Sequence, residues 1–296
     1  MLRMVISSAF VLIVFLSYGQ LQKFYALKDA GNYDSVSFSM HATSGNCTVQ
    51  SASIEDQSPL SIFGNPDLDK INPSFKYKVV ERKCNVSLDL QEFRSSSLGD
   101  GLVFAMMRSD EDENNYWKVN FDKNKIYFLD LSYGIGNANV DLSGSSVKSF
   151  KINSGTADIF VEYKKDQPNQ IAMDTFEVKV DMGTIITKKL VLANADNIIA
   201  NIGFGKALLD LSDPQTKKCD VTASVGAGNL DVLLPKGNTP IIIYLKDSPL
   251  CGVRLAEGFE EVEHNVYVNM DYTVDAKNLL TFDVDVALGS ITFHYE

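Results

Sequence analysis

Apolar and polar residues alternate strictly along much of this chain, and the alternation changes phase at a glycine. The stretch 129–142, LDLSYGIGNANVDL, shows the pattern most clearly. Its apolar positions are Leu129, Leu131, Tyr133 and Ile135 before Gly136, and Ala138, Val140 and Leu142 after it. A period of two is that of a β-strand with one buried face, and glycine permits a sharp corner because it readily adopts positive φ. The stretch therefore predicts two short strands that share one inward face across a glycine corner.

The same unit recurs through the chain. The predicted structural corners form a column at Gly45, Gly136, Gly183, Gly205, Gly228 and Gly289, with Ala157 in the equivalent place. The alternation also places the residue directly before each corner on the inward face: Ile135, Thr156, Met182, Phe204, Ala227 and Leu288. From Gly136 to Gly228 the period is about 22 residues, and the longer step to Gly289 contains an irregular copy at 241–255.

Repeats of this length with two strands each are typical of a solenoid, in which every copy covers the apolar face of the next. The sequence therefore predicts an all-β fold, a β-solenoid built as a single-stranded, right-handed β-helix-like stack of two-strand repeats. A β-sandwich of hairpins is the alternative, and repetition of whole copies favours the solenoid. Residues 20–126 are predicted as an N-terminal β region with the first repeat and irregular strands and loops. Residues 127–296 are predicted as solenoid repeats, in one domain continuous with 34–126.

The N-terminus has the features of an export signal. Arg3 precedes the apolar run Met4–Leu16, and Gly19 provides a small residue before Gln20. This order predicts a secretory signal peptide over residues 1–19. The run is shorter than the ~20 residues that a spanning helix needs, although retention as an anchor stays open. We expect a secreted, periplasmic or surface protein that does not insert into the membrane after cleavage.

Four cysteines agree with export. Their spacing contains no Cys-x-x-Cys or Cys/His cluster, which disfavours a zinc site. Proximity in the sequence favours two disulfides, Cys47–Cys84 and Cys219–Cys251. The other pairings and buried free thiols remain alternatives.

The charge balance and motifs exclude several functions. A net charge of −11 over 296 residues argues against nucleic acid, whose phosphates need a basic face. The acidic run Asp110–Asn115 lacks calcium-loop spacing and is interpreted as a solvated turn. His41, His264 and His294 have no spacing that makes them joint metal ligands, and no nucleophile or nucleotide motif is present. We therefore predict no catalytic, cofactor or metal site.

Two hypotheses for outward residues remain. Asp141, Asp210 and Asp231 share the outward phase of their second strands, so they are candidates for a carboxylate pair that cuts polysaccharide. Polar residues are ordinary at outward strand positions, so a non-catalytic role is favoured for these three carboxylates. Outward Asn137, Asn139, Asn229 and Asp231 flank the corners and are candidates for hydrogen bonds to a glycan.

Several of these segments resemble the toastrack superfamily, which includes the C-terminal domain of LiaF-type cell-wall-active antibiotic response proteins and related adhesin-like domains of bacterial envelopes. The carriers are LSYGIGNANVDLSG, NIGFGKALLDLSD, TASVGAGNLDVLLPKG and VDVALGSITFHYE. The resemblance covers 34–296 and is strongest from Tyr127 onward. It implies a solenoid-like β domain that serves as an assembly platform, adhesin or stress-signalling partner, and it supplies no catalytic residues. The multi-helix membrane domain of the signalling members is not found before the β region.

The sequence and the resemblance together predict a non-catalytic protein of the bacterial envelope or surface. It would act as an adhesin-like binding or scaffolding module whose partner is an unknown protein or glycan. Two alternatives stay open: a polysaccharide-active enzyme on the same scaffold, and a regulatory partner of an envelope-stress membrane sensor.

Overall fold

A computed structural model describes residues 23–28, 31–51, 58–65, 71–91, 116–246 and 248–295. The predicted signal peptide at 1–19 and the acidic run Asp110–Asn115 lie outside these residues. Within the described part, the chain forms seventeen strands and one 3₁₀ turn, Leu190–Ala193. The all-β solenoid prediction is confirmed.

Six strands of 16 residues repeat the predicted unit. They are β8 (Ile126–Asp141), β9 (Val147–Glu162), β10 (Met173–Lys188), β11 (Ala195–Asp210), β12 (Cys219–Leu234) and β17 (Leu280–Tyr295). The shorter strands are β1 (Lys23–Ala26), β2 (Ser35–Ser44), β3 (Asn46–Ser51), β4 (Leu60–Gly64), β5 (Ser74–Val80), β6 (Lys83–Leu90), β7 (Tyr116–Phe121), β13 (Ile241–Leu245), β14 (Cys251–Arg254), β15 (Phe259–Glu263) and β16 (Val266–Asn269).

Each long strand runs continuously through its corner, so the two strands predicted per copy are two arms of one strand. We call the residues before the corner the first arm and those after it the second arm. The long strands pair in parallel along both arms in the order β8, β9, β10, β11, β12, β17. The layer before β8 consists of β2 and β3, which Gly45 separates.

The layers at both ends depart from chain order. β6 and β7 pair with β2 and β3 on the side away from β8, and β17 lies between β12 and the irregular copy formed by β13 and β14. Antiparallel strands extend the ends: β5 lies beside β6, β4 beside β7 and β1 beside β4, β16 beside β13 and β15 beside β16. Each copy was expected to cover its sequence neighbour, and this expectation is wrong at the two ends. Any copy has the same type of apolar face, so the repeat pattern does not specify which layers become neighbours.

The corner glycines lie directly above one another. Gly205 pairs with Gly183 on one side and Gly228 on the other, and Gly228 pairs with Gly289. Their φ angles lie between +131° at Gly45 and +145° at Gly228. A Cβ atom at Gly228 would lie 1.7 Å from the carbonyl oxygen of Gly205. Glycine is therefore needed at Gly228 both for its φ and for the close approach of the next layer.

The core lies between the inner faces of the two arms. Phe282 in the first arm and Phe293 in the second arm of β17 meet edge to face, with ring centroids 5.2 Å apart. Along the stack, Phe150 and Phe176 are neighbours in adjacent layers with centroids at 5.2 Å. Trp117 is also fully buried, and its ring occupies the space where a side chain at Gly64 would stand.

In the six long strands, the residues directly before the corner are not buried in the core, contrary to the expectation from alternation. Phe204 is 61% exposed and Met182 is 54% exposed, and they are neighbours in adjacent layers. The column in the long strands, which we call the bend ridge, consists of Ile135, Thr156, Met182, Phe204, Ala227 and Leu288. It ends at Ser44, which pairs with Ile135 and is buried. The physical reason is that the core ends where the two arms converge, so no opposing arm is present to cover these side chains.

The predicted disulfides are also corrected, because all four cysteines are free thiols. Cys219 pairs with Leu280, whereas Cys251 pairs with Gly289 on the other side of the same strand. Nine residues of extended strand separate these positions, about 30 Å at ~3.3 Å per residue, far beyond the Cα separation of a disulfide. Cys84 and Cys47 are separated in the same way. Cys84 pairs with Val36 near the start of the first arm, whereas Cys47 lies in the second arm beside Ala138.

Thiol titration should distinguish these states. Burial raises the pKa of Cys47 and of Cys219 to about 12, so neither thiol is ionised at neutral pH. Both side chains are also shielded from solvent, whereas Cys251 is half-buried. We expect a bulky thiol reagent to modify Cys251 first in the native protein, and all four cysteines after unfolding without reductant. Fewer than four reactive thiols in the unfolded, unreduced protein would restore the disulfide prediction, and a Cys251→Ser variant serves as control for the fast-reacting site.

Candidate binding groove beside the bend

The outer face of the second arm carries an open groove of about 340 Å³. It crosses β8, β9 and β10, and six of its seven lining residues occupy the outward positions one and three residues after the corner. The lining residues are Asn137, Asn139, Asp158, Ile159, Phe160, Thr184 and Ile186. Because the arms pair in register, two ladders of side chains result, Asn137–Asp158–Thr184 and Asn139–Phe160–Ile186.

The first ladder is polar and is oriented by the neighbouring backbone. The carboxamide oxygen of Asn46 accepts a hydrogen bond from the backbone N–H of Asn137 at 3.3 Å. The carboxamide oxygen of Asn137 in turn accepts one from the backbone N–H of Asp158 at 3.4 Å. Asn137 and Asp158 remain exposed, so this rim presents amide hydrogens and a carboxylate to solvent.

The second ladder provides an apolar floor. Phe160 and Ile186 are register neighbours, and Leu208 continues the ladder in β11. The Nζ atom of Lys188 lies 4.9 Å from the centroid of the Phe160 ring, a cation–π contact that holds a positive charge at the edge of the floor. Four of the seven lining residues are polar, so the groove is more polar than the usual small-molecule site, whose lining is mainly apolar.

Only part of the predicted glycan set meets in this groove. Asn137 and Asn139 line it, whereas Asn229 and Asp231 occupy the same two ladders in β12, beyond the β11 layer. The carboxamide oxygen of Asn229 accepts a hydrogen bond from the Ser290 hydroxyl at 2.8 Å. Phe160 and Ile186 were missed by the sequence analysis. Their signal was an apolar residue at the outward position of successive copies.

Comparison with known protein families shows which family this chain belongs to. Residues 22–188 match the family described as the N-terminal domain of toast_rack, DUF2154. The chain belongs to this family. The resemblance to toastrack proteins is thereby confirmed, and the match includes the N-terminal region, where the sequence resemblance was weaker.

Two solved structures match most of the length of this toast_rack protein at low sequence identity. A "putative cell adhesion protein" from Clostridium sporogenes is 14% identical with a TM-score of 0.46, covering 93% of this chain and 99% of its own. A "putative adhesin" from Bacteroides fragilis is 11% identical with a TM-score of 0.32, covering 92% of this chain and 96% of its own. No curated protein matches the sequence.

The three candidate catalytic carboxylates are not brought together. Asp141 lies in β8 and Asp210 in β11, three layers apart, which is ~14 Å at the ~4.8 Å spacing of strands and too far for a glycosidase pair. Asp231 lies three residues after its corner, in the ladder of Asn139, whereas Asp141 and Asp210 lie five residues after theirs. Each carboxylate is already bound: Asp141 by Lys164 at 2.6 Å, Asp231 by Lys206 at 3.1 Å, and Asp210 by the backbone N–H of Lys189 at 2.9 Å.

Electrostatics also oppose an acid role for Asp141. Burial by itself would raise the pKa of this carboxyl, but hydrogen bonds from Lys164 and Ser143 outweigh burial and hold the pKa below its ordinary value. A general acid that protonates a leaving group needs a raised pKa. Asp141 is therefore built to stay ionised as a structural ion-pair partner.

The remaining predicted residues are dispersed. His41 lies in β2, His264 in the turn between β15 and β16, and His294 near the end of β17. Across the described ranges, no group of three or more His, Cys, Asp or Glu side chains is placed to hold a metal ion. No helix in that same part of the chain is long and apolar enough to cross a membrane.

Proposed function

We propose that this protein is a non-catalytic module of a bacterial cell surface that binds glycan in the groove beside the bend. The observation that carries the proposal is that the amide and carboxylate groups of Asn137, Asn139 and Asp158 lie next to the Phe160 ring in one groove. A carboxamide both donates and accepts hydrogen bonds, which suits pairs of sugar hydroxyls. An aromatic ring packs against the apolar face of a sugar.

The scaffold suits binding of a polymer. The rim and floor stand on paired strands of three layers, and side chains on strands are held more accurately than side chains on loops. The open shape of the groove lets an extended chain lie across the layers. These features support retention of an insoluble polymer better than enclosure of a small metabolite.

Two further features support a non-catalytic role outside the cell. Among the residues that line the groove, Asp158 is the single carboxylate, whereas glycosidases generally use two. The apolar segment at the N-terminus, with Arg3 before it, is typical of an export signal. An adhesin-like module of this kind would hold the protein on envelope or surface polysaccharide.

Retention on insoluble polymers tests the proposal. We expect the mature protein to be retained on peptidoglycan sacculi, with chitin and cellulose as comparison polymers. Asn139→Ala combined with Phe160→Ala should weaken retention at least about tenfold, because a tenfold loss corresponds to only ~1.4 kcal/mol and one hydrogen bond plus one ring contact are removed. The matched control is Asn229→Ala combined with Phe204→Ala, the same residue types outside the groove, which should bind as the wild type does.

Other outcomes contradict the proposal in different ways. Equal retention of both double variants would place any binding outside the groove. Release of reducing sugar ends from the sacculi would favour the polysaccharide-active enzyme. Retention on none of the polymers would remove glycan binding and leave the regulatory partner as the better hypothesis.

A further inference from the structure

We propose that copies of this chain stack head to tail through the strand edges at the two ends of the solenoid. At one end the edges are β14, which pairs only with β17, and β15, which pairs only with β16. At the other end they are β1, which pairs only with β4, and β5, which pairs only with β6. No second strand from the described residues covers these four edges. Unpaired rows of N–H and C=O groups are templates for a strand of another chain.

The charges on the edges select the occupant. β15 carries Glu260, Glu261 and Glu263, and all three are exposed. β5 carries Lys76 and Lys78, and both are exposed. Charged side chains on an edge normally prevent pairing with a like edge. Here the two first-arm edges have opposite signs, so like edges repel while the acidic β15 edge of one copy attracts the basic β5 edge of the next.

Strand directions fit a simple translation of one copy along the stack. β15 runs parallel to β13 and the first arms through two antiparallel steps, whereas β5 is antiparallel to β6. The two edges would therefore meet as an antiparallel pair. On the second arm, β14 runs parallel to β17, and β1 runs parallel to β7 through β4. The second arm is one strand shorter than the first, so the translation that pairs β15 with β5 leaves the parallel edges of β14 and β1 one strand spacing, ~4.8 Å, short of pairing.

Exposed apolar side chains accompany both ends. Leu250 and Val253 are 66% and 44% exposed at the acidic end, and the pairing of Cys251 with Gly289 places Leu250 beside Leu288 of the bend ridge. Phe24 and Tyr77 are 56% and 53% exposed at the basic end. Contact between unlike ends would bury these side chains. Because such a contact is heterologous and the copies are related by translation, it produces an open filament and not a closed dimer.

Sedimentation velocity at low salt tests this assembly. We expect the average mass of the wild type to rise with protein concentration and to fall towards the monomer in 1 M NaCl, where the Debye length is ~3 Å. Glu260→Lys with Glu263→Lys makes both ends basic, and Lys76→Glu with Lys78→Glu makes both ends acidic. Each double variant alone should remain monomeric. Their equimolar mixture should associate again, and so should the quadruple variant, in which the two signs are exchanged.

A control separates local from total charge. Asp220→Lys with Asp283→Lys makes the same change in net charge as Glu260→Lys with Glu263→Lys, but on exposed first-arm positions of β12 and β17, which are paired on both sides. This variant should associate as the wild type does. Far-ultraviolet circular dichroism checks that every variant is folded. A wild type that stays monomeric at all concentrations, double variants that associate alone, or a mixture that does not recover would each overturn the proposal.

Discussion

Replacement of Gly228 by valine is expected to destabilise the protein by more than about 3 kcal/mol, enough to abolish folding if the wild type is marginally stable. The φ of +145° is unfavourable for a β-branched residue, and the new Cβ would lie 1.7 Å from the carbonyl oxygen of Gly205. Relief of this clash would require the β11 and β12 layers to move apart. That movement would break the backbone hydrogen bonds between the two layers along both arms. Urea unfolding followed by circular dichroism measures the loss.

Two control variants isolate the cause. Gly237 also has a positive φ, +72°, but no atom lies within 4 Å of a Cβ built there, so Gly237→Val should show only backbone strain, ~1–2 kcal/mol. Asp231→Asn weakens a partly exposed ion pair with Lys206 and should cost less than about 1 kcal/mol. If Gly228→Val cost no more than Gly237→Val, the close approach between layers would be wrong.

Ala157 shows how the column accepts a side chain. It pairs with Gly136 and Gly183 in the column, yet its φ is not positive. The backbone thus leaves the glycine conformation where a Cβ is present. Alanine at Gly228 could follow this route in part, so Gly228→Ala should be less destabilising than the valine variant.

The repeat, the strands and the corner column were predictable because their causes are local. Alternation at Phe176, Val178 and Val180 reports which face of one strand is buried, and Gly183 reports a backbone angle at one residue. Neither signal depends on which layer lies above or below. The irregular copy at 241–255 was found for the same reason, and in the structure its Cys251 pairs with the corner residue Gly289.

The features that were missed depend on the assembled stack. Layer order at the ends and the distance between cysteines follow from which layers meet, and the repeats are too alike to specify this. The groove needed Asn139, Phe160 and Ile186 from three separate layers to come into register. A sequence analysis confined to polar outward residues could find Asn137 and Asn139 but not the apolar side chains in the next two layers beside Asn139.

The prediction that the bend ridge faces the core was wrong for a different reason, because the alternation was extended one apolar position too far towards the corner. Phe204 continues the period of Ile198, Ala200 and Ile202, so its pattern is identical to that of a core residue. The local backbone still alternates at this point, but the core that would receive the side chain has ended. Periodicity gives the direction of a side chain relative to its strand and does not show whether an opposing surface is there.

A matched pair of phenylalanine variants tests this correction with the second large effect. Phe176→Ala is expected to cost about 3–5 kcal/mol, because the ring is fully buried and stacks on Phe150 at 5.2 Å, and its removal leaves a cavity. Phe204→Ala, in the adjacent layer, is expected to change the free energy of unfolding by no more than ~0.5 kcal/mol, the usual range for an exposed position.

The comparison is sharp because residue type and substitution are the same and strict alternation predicts equal losses. Urea unfolding of both variants, with the denaturant slope checked for constancy, gives the two free energies. A loss at Phe204 as large as that at Phe176 would mean that the ridge is packed against something in solution. Similar small losses at both positions would mean that the first arm does not bury Phe176 as the stack requires. Only a large loss at Phe176 with a small one at Phe204 agrees with a core that closes before the bend.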